Sequence, residues 1–253
     1  MAQFSATIGR ISSTQQGIYV SSILLSASIS SLASGNVSDR ISRKYGILTG
    51  GALTTLGAVV SAASPNFASL IIARLITGTG AGQAIAVATV FLVEIAPVEI
   101  RGVAACLLQL YVTIGIAAGY FIAFGSRNLS GSVAWRIPFI VQGAFAVLLT
   151  VGMLAMPYSP RWLAQQGRNQ EARLVLRSLR SAEGQVEAEL QEITASREES
   201  QGTGATAEFT EVCSRRYIKR TAIGVAIMAL QQLTGVSGFF FHYASNLFPH
   251  LQC

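Results

Sequence analysis

Three features of the 253-residue sequence predict an all-α integral membrane protein. Six apolar stretches each approach the roughly 20 residues that carry a helix across a bilayer. Only 12% of residues are charged, about half the share usual in a soluble domain. The charges are also segregated: residues 161–220 hold ten of the eighteen Lys/Arg and nine of the twelve Asp/Glu. The net charge of +6 therefore reads as a topology signal, and nothing in its distribution suggests a nucleic-acid partner.

The six windows are 17–37, 46–63, 68–92, 103–124, 135–156 and 219–245. The first, "SSILLSASISSLASG", is rich in serine, which lets helix backbones approach closely; a soluble helix is the competing reading. Loop 38–45 with Arg40, Arg43 and Lys44, loop 94–102 with Arg101 and the ten basic residues of the insert all fall on one side. Arg10, Arg127 and Arg136 fall on the other. This bias places the insert in the cytosol and residues 1–16 outside. Those sixteen residues lack the apolar core of a signal peptide, so the expectation is a chain that has lost a preceding span.

Segment 157–218 reads as a cytosolic helical linker and 246–253 as a tail. Within the linker, "NQEARLVLRSLR" puts Ala172, Leu176 and Leu179 on one helical face. "QVEAELQEITASREES" is a second, acidic helix. Cys106, Cys213 and Cys253 lack metal or disulfide spacing, and His242 and His250 lack companion ligands, so no metal or cofactor is expected. Asn128-Leu129-Ser130 is a glycosylation sequon on the outer side.

Polar residues in apolar surroundings carry the functional signal. In the first loop Asp39 is expected to cap a helix start while Arg43 and Lys44 face the cytosol, the alternative being simple flanking charge. Arg74 lies inside an apolar window, where an arginine costs several kcal/mol unless paired, hydrated or snorkelled to the interface. Glu94 and Arg101, seven apart around Pro97, are expected to pair at the cytosolic mouth or else to be ordinary loop charges. Gln109 lies roughly 12 Å deep counted from Arg101, and Gln231 and Gln232 roughly 16–18 Å deep counted from Arg220, at 1.5 Å per residue. Three amides near the middle of a core about 30 Å thick need partners. They either bond neighbouring helices or form a polar site, and amides, which donate and accept, suit a neutral polyhydroxyl ligand better than an ion.

Taken in order, "GNVSDRISRK", "ARLITGTGAG", "EIAPVEIRG", "WRIPF", "PYSPRWL" and "QQLTG" resemble the motifs of sugar porters of the major facilitator superfamily, in a fungal-type version. That resemblance implies a partial major-facilitator-type bundle: family helices two to seven, about six transmembrane helices, with a cytosolic helical linker after the fifth. It implies transport of a hexose-like monosaccharide by alternating access across the plasma membrane, with a sugar and the lipid bilayer as partners. Gln109, Gln231, Gln232 and Ser237 match the sugar-binding positions. Asp39, Arg43 and Lys44 match the gating motif, and Arg74, Glu94, Arg101 and Arg161 the charged network. The chain departs from the pattern at Ser42 (usually glycine), Tyr158 (usually glutamate), Ser237 (usually asparagine), and Phe241 and His242 (usually tyrosines). Proton coupling stays open, because the helix that would carry the acid is not in the sequence. A sugar sensor or inert scaffold is the alternative function. An enzyme is not expected, since the spans hold no paired carboxylates and no nucleophile with a base. The 253 residues alone are not expected to transport.

Overall fold

The computed structural model describes residues 12–126, 129, 131–180, 183–200, 214 and 218–233, the side chains of 98, 196–200, 231 and 232 excepted. Among them no strand occurs. Five helices are long and apolar enough to span a membrane. They are α1 (Ser13–Ile41), α2 (Arg43–Ala63), α3 (Phe67–Ile95), α4 (Arg101–Ser126) and α5 (Val133–Ala155). Linker helices α6 (Pro160–Gln165), α7 (Asn169–Leu179) and α8 (Glu183–Ser200) follow. Helix α9 (Ile218–Leu233) covers the first part of the sixth window and belongs to a second unit, Glu199–Cys253, described by itself. After Arg220 it carries no charge, and its large apolar side chains, Ile223, Val225, Ile227, Met228 and Leu230, are exposed.

Helix α1 starts earlier than its apolar window because Ser12 and Gln15 form a reciprocal capping box, Ser12 Oγ accepting from Gln15 N at 3.3 Å and Gln15 Oε1 from Ser12 N at 2.9 Å. Its serines do not burden an apolar environment with unmet hydroxyls. Ser22, Ser26 and Ser28 donate to carbonyls three or four residues back, and Ser30 donates across to the Thr79 carbonyl of α3 at 2.7 Å. The buried ones, Ser22, Ser26, Ser34 and Ser38, recur at multiples of four and so lie on one face. That face meets α3, where a Cβ on Gly78 would come within 2.5 Å of the Ile23 carbonyl.

Helix α3 packs along both α1 and α2, and α2 packs also along α5. The α2–α3 seam depends on Gly50 and Gly80: a Cβ on Gly80 would lie 2.5 Å from the Gly50 carbonyl oxygen and 2.5 Å from the Thr54 amide nitrogen. Both are backbone atoms, which cannot step aside. Gly80→Val is therefore expected to cost about 1–3 kcal/mol by overpacking, seen as a lower thermal midpoint of the detergent-solubilised chain. Gly115→Ala on α4, where nothing lies within 4 Å, should leave the midpoint unchanged.

Below this seam Ile47, Val87, Phe91 and Met153 form one apolar cluster. Trp162, Leu163, Ala164, Ala172 and Ile193 form a second within the linker helices. By contrast α4 buries only Ser126. Its large side chains, with those of α5, form the broad exposed apolar surface that lipid or further helices would cover.

Candidate substrate site and linker-end charge latch

One residue, Ser42, turns the chain from α1 into α2, with φ 105° and ψ 146°. A side chain is strained at such a φ, which is the physical reason a glycine suits the position. Ser42 offsets the strain by capping α2: its Oγ accepts from Lys44 N at 3.3 Å, and the residue is fully buried. The cap is thus Ser42 and not Asp39 as expected, because α1 runs on to Ile41 and leaves Asp39 in its last turn. Ser42→Ala keeps the strain and loses the cap, for an expected cost of about 1 kcal/mol. Ser42→Gly loses the cap but relieves the strain. Thermal unfolding should rank alanine clearly below serine, with glycine at or above serine.

The tight turn brings Arg43 into the centre of a network. It lies 2.8 Å from Asp39 Oδ1 and 3.2 Å from Glu94 Oε1, and its Nη1 donates to Gln165 Oε1 at 3.4 Å. Arg43 is 6% and Glu94 8% exposed, whereas half of the Asp39 side chain is exposed. The Arg43–Glu94 pair is therefore the energetically important one, and the pair with Asp39 adds little. Ser159 completes it, its hydroxyl donating to Glu94 Oε2 at 2.5 Å while Trp162 Nε1 donates to the Asp39 carbonyl at 3.0 Å. Three segments distant in sequence, 39–43, Glu94 and 159–165, are locked at one end of the bundle.

Glu94 does not pair with Arg101. Pro97 breaks the helix and a short 3-10 turn, Val98–Ile100, follows, so their seven-residue spacing is not two turns of one helix. Arg101 Nε instead donates to the Ala96 carbonyl at 3.2 Å, and its Nη2 lies 3.8 Å from Glu189 of α8. Glu189 also grips Arg180 with contacts of 2.9 and 3.1 Å, and Arg180 donates to the Ile95 carbonyl at the end of α3 at 3.0 Å. The linker is fastened to the α3–α4 corner by a buried cation at a helix C-terminus. Arg161 makes no ion pair among the described residues, and its Nε is buried without a partner.

Lys44 is held differently from Arg43. Its Nζ donates to the carbonyls of Leu154 and Met156 at 2.8 and 2.7 Å and lies 5.3 Å from the centroid of the Tyr158 ring. Tyr158 stacks on Trp162 at 5.7 Å and tilts against Tyr45 at 6.2 Å. Hydrogen bonding with the Tyr45 side chain, helped by burial, pushes the Tyr158 phenol above its ordinary range, so the ring is neutral at pH 7.

Higher in the bundle, Arg74 is half-buried between aromatic faces, 4.4 Å from the Tyr19 centroid and 5.5 Å from that of Phe139. These contacts partly replace the water that an arginine at this depth gives up. Gln109 lies exposed on α4, its carbonyl accepting from Thr113 Oγ at 3.0 Å. The side chains of Gln231 and Gln232 on α9, and Ser237, Phe241, His242, Asn128 and Ser130 altogether, lie outside the described residues. Sequence reasoning missed Ser159, Gln165, Arg180 and Glu189. Only Ser159 carried a local signal, as the residue before Pro160 at a helix start.

Residues 2–253 match the family model described as sugar (and other) transporter. The chain belongs to this family. A low-affinity glucose transporter of Saccharomyces cerevisiae is 33% identical over 244 residues, covering 94% of this chain and 42% of that protein. An arabinose-proton symporter of Escherichia coli is 35% identical over 238 residues, 94% of this chain and 49% of the symporter. The chain thus spans about half the length of the curated relatives it matches. Among solved structures, a major facilitator superfamily proton:xylose symporter bound to 6-bromo-6-deoxy-D-glucose superposes with a TM-score of 0.77 at 24% identity, over 99% of this chain and 57% of that one. A partially occluded inward-open xylose transporter from E. coli gives 0.70 at 22% identity, over 79% of this chain and 54% of that one. These two establish the fold, a partial major-facilitator-type bundle, and family membership with five helices long and apolar enough to span a membrane makes it integral and multi-pass. The family it belongs to is one of transporters and not of enzymes.

Proposed function

We propose that this chain forms part of a plasma-membrane porter that moves a hexose-like monosaccharide by alternating access, with Gln109, Gln231, Gln232 and Ser237 contacting sugar hydroxyls. In this reading 17–156 supply five spans of one half, 157–218 the cytosolic linker and 219–245 the first helix of the other half. The observation that carries it is the contrast along the bundle. At the linker end the ionic groups of Arg43 and Glu94 are buried and locked, while mid-helix the Gln109 amide stands open on α4. A two-sided site needs that pairing: a closed gate at one end and an accessible polar group at membrane depth. The glucose and arabinose-proton relatives support a neutral monosaccharide, with a proton as co-substrate in some members of the family.

Asp39, Arg43, Lys44, Glu94, Arg101 and Arg161 form or border the gate, and Arg74 sits where a coupling residue would act. The test is uptake by a full-length porter carrying these residues in a yeast lacking hexose transport. Labelled glucose should enter saturably, with other monosaccharides competing. Correct surface delivery with no uptake of any monosaccharide would favour the sensor or scaffold reading.

A further inference from the structure

Lys44 combines two features that an ordinary flanking lysine lacks: among the described residues it has no carboxylate partner, and its ammonium is nevertheless held by two carbonyls and a ring face. Two donors reach the Leu154 and Met156 carbonyls at 2.8 and 2.7 Å. Leu154 lies in the last turn of α5, where carbonyls lack a partner within their own helix and carry the negative end of its dipole, and Met156 is the extended residue that caps the helix. Above the ammonium lies the Tyr158 ring, 5.3 Å from its centroid. The ring is held in place by the stack on Trp162 (5.7 Å, 19° between planes) and the contact with Tyr45 (6.2 Å, 56°). Trp162 is itself anchored to the Asp39 carbonyl at 3.0 Å.

We propose that Lys44 and Tyr158 form a carboxylate-free latch, in which a ring face and two helix-end carbonyls hold the ammonium and so fasten the start of α2 to the end of α5. Tyr158 is then a positioning residue, acting through Lys44 and not on substrate. A carboxylate at residue 158 would hold the same ammonium through an ion pair, which dissolved salt screens at this half-exposed site. The ring face and the short carbonyl contacts are screened far less. The latch also adds a further tie at the linker end beside the Arg43–Glu94 pair and the Arg180–Glu189 contacts. Its role as a gate rests on the porter reading above; its existence as a contact does not.

The chain has only two lysines, Lys44 and Lys219, and Lys219 is exposed. Acylation of the whole chain in detergent with a water-soluble amine reagent, followed by peptide mass spectrometry, therefore reads Lys44 against an internal reference. Lys44 should react more slowly than Lys219. Tyr158→Phe, which keeps the ring face, should leave the ratio unchanged, whereas Tyr158→Leu should raise it about fivefold, the factor expected when a partly desolvated cation–π contact is lost. Tyr158→Glu should protect Lys44 in dilute buffer and lose that protection in 1 M salt, where screening acts over about 3 Å, while the parent chain stays protected. A Leu variant as slow as the parent, or a Phe variant as fast as Leu, would overturn the latch. Should the Leu variant fail to fold, the parent and Glu variants decide by their salt dependence, and equal salt dependence would overturn it too. In a full-length porter, Tyr158→Leu should raise the external KM for sugar several-fold by disfavouring the outward-facing state, with Phe unchanged. Exposure of Lys44 in the Leu variant with an unaltered KM would remove the gating role and leave the contact standing.

Discussion

Replacing Glu94 by glutamine is expected to destabilise the linker end of the bundle by about 3–5 kcal/mol, the range for a buried ion pair that loses one partner. Glu94 is 8% exposed and accepts from Arg43 Nε at 3.3 Å and from Ser159 Oγ at 2.5 Å, with Arg43 Nη2 at 3.2 Å. Glutamine keeps the size but removes the charge, leaving the Arg43 guanidinium, 6% exposed, with Asp39 as its only anion among the described residues. That carboxylate is itself half in solvent and cannot compensate. The effect should appear as a fall in thermal midpoint of the solubilised chain and as faster proteolysis at the linker. Arg43→Met together with Glu94→Gln should recover much of the loss, since no charge is then stranded. Asp39→Asn alone should cost under about 1 kcal/mol, as exposed pairs do. A single Glu94→Gln variant as stable as the parent would show that the network is decorative.

Replacing Gln109 by alanine is expected to do the reverse: little to stability, much to transport. Its side chain is exposed, so the helix should insert and fold unchanged. In a full-length porter, however, the amide would meet a sugar hydroxyl as donor and acceptor at once. A site built to bond a hydroxyl and deprived of its partner loses roughly 1–3 kcal/mol, which is about 5- to 150-fold in uptake efficiency. The expected result is uptake reduced by at least about fivefold with normal surface abundance. Gln109→Glu should retain part of the activity, since a carboxylate still accepts. Unchanged uptake for the alanine variant would remove Gln109 from the site.

The spans were legible because lipid imposes one rule on every residue of a helix, and long uncharged runs such as 103–124 and 137–156 obey it without help from the rest of the fold. The serine-rich first window was legible for a subtler reason. Its hydroxyls bond back to their own helix, so composition that looks polar behaves as a small, closely packing surface. The linker-end network was only half visible. Arg43 and Glu94 stood out as charges at helix ends, but their pairing joins residues 51 apart in sequence, and no local spacing encodes that. The nearer pairing with Arg101 looked natural until Pro97 turned the chain between them. Glu189 and Arg180 were hidden for the same reason, since a surface-like acidic helix gives no sign of which of its glutamates turns inward. Tyr158 read as the loss of a carboxylate, because a sequence shows that a charge is missing but not that a ring face has taken its cation.

The central claim is that Gln109 faces an aqueous path that sugar can enter. It is tested most directly in a full-length porter with Cys106, Cys213 and Cys253 replaced by serine, comparing Gln109→Cys with Leu107→Cys on the opposite side of α4. The account predicts that a charged, water-soluble thiol reagent modifies residue 109 rapidly and residue 107 slowly, and that a transported sugar slows the reaction at 109. Equal sluggishness at both positions, or labelling of 109 that no sugar affects, would contradict it.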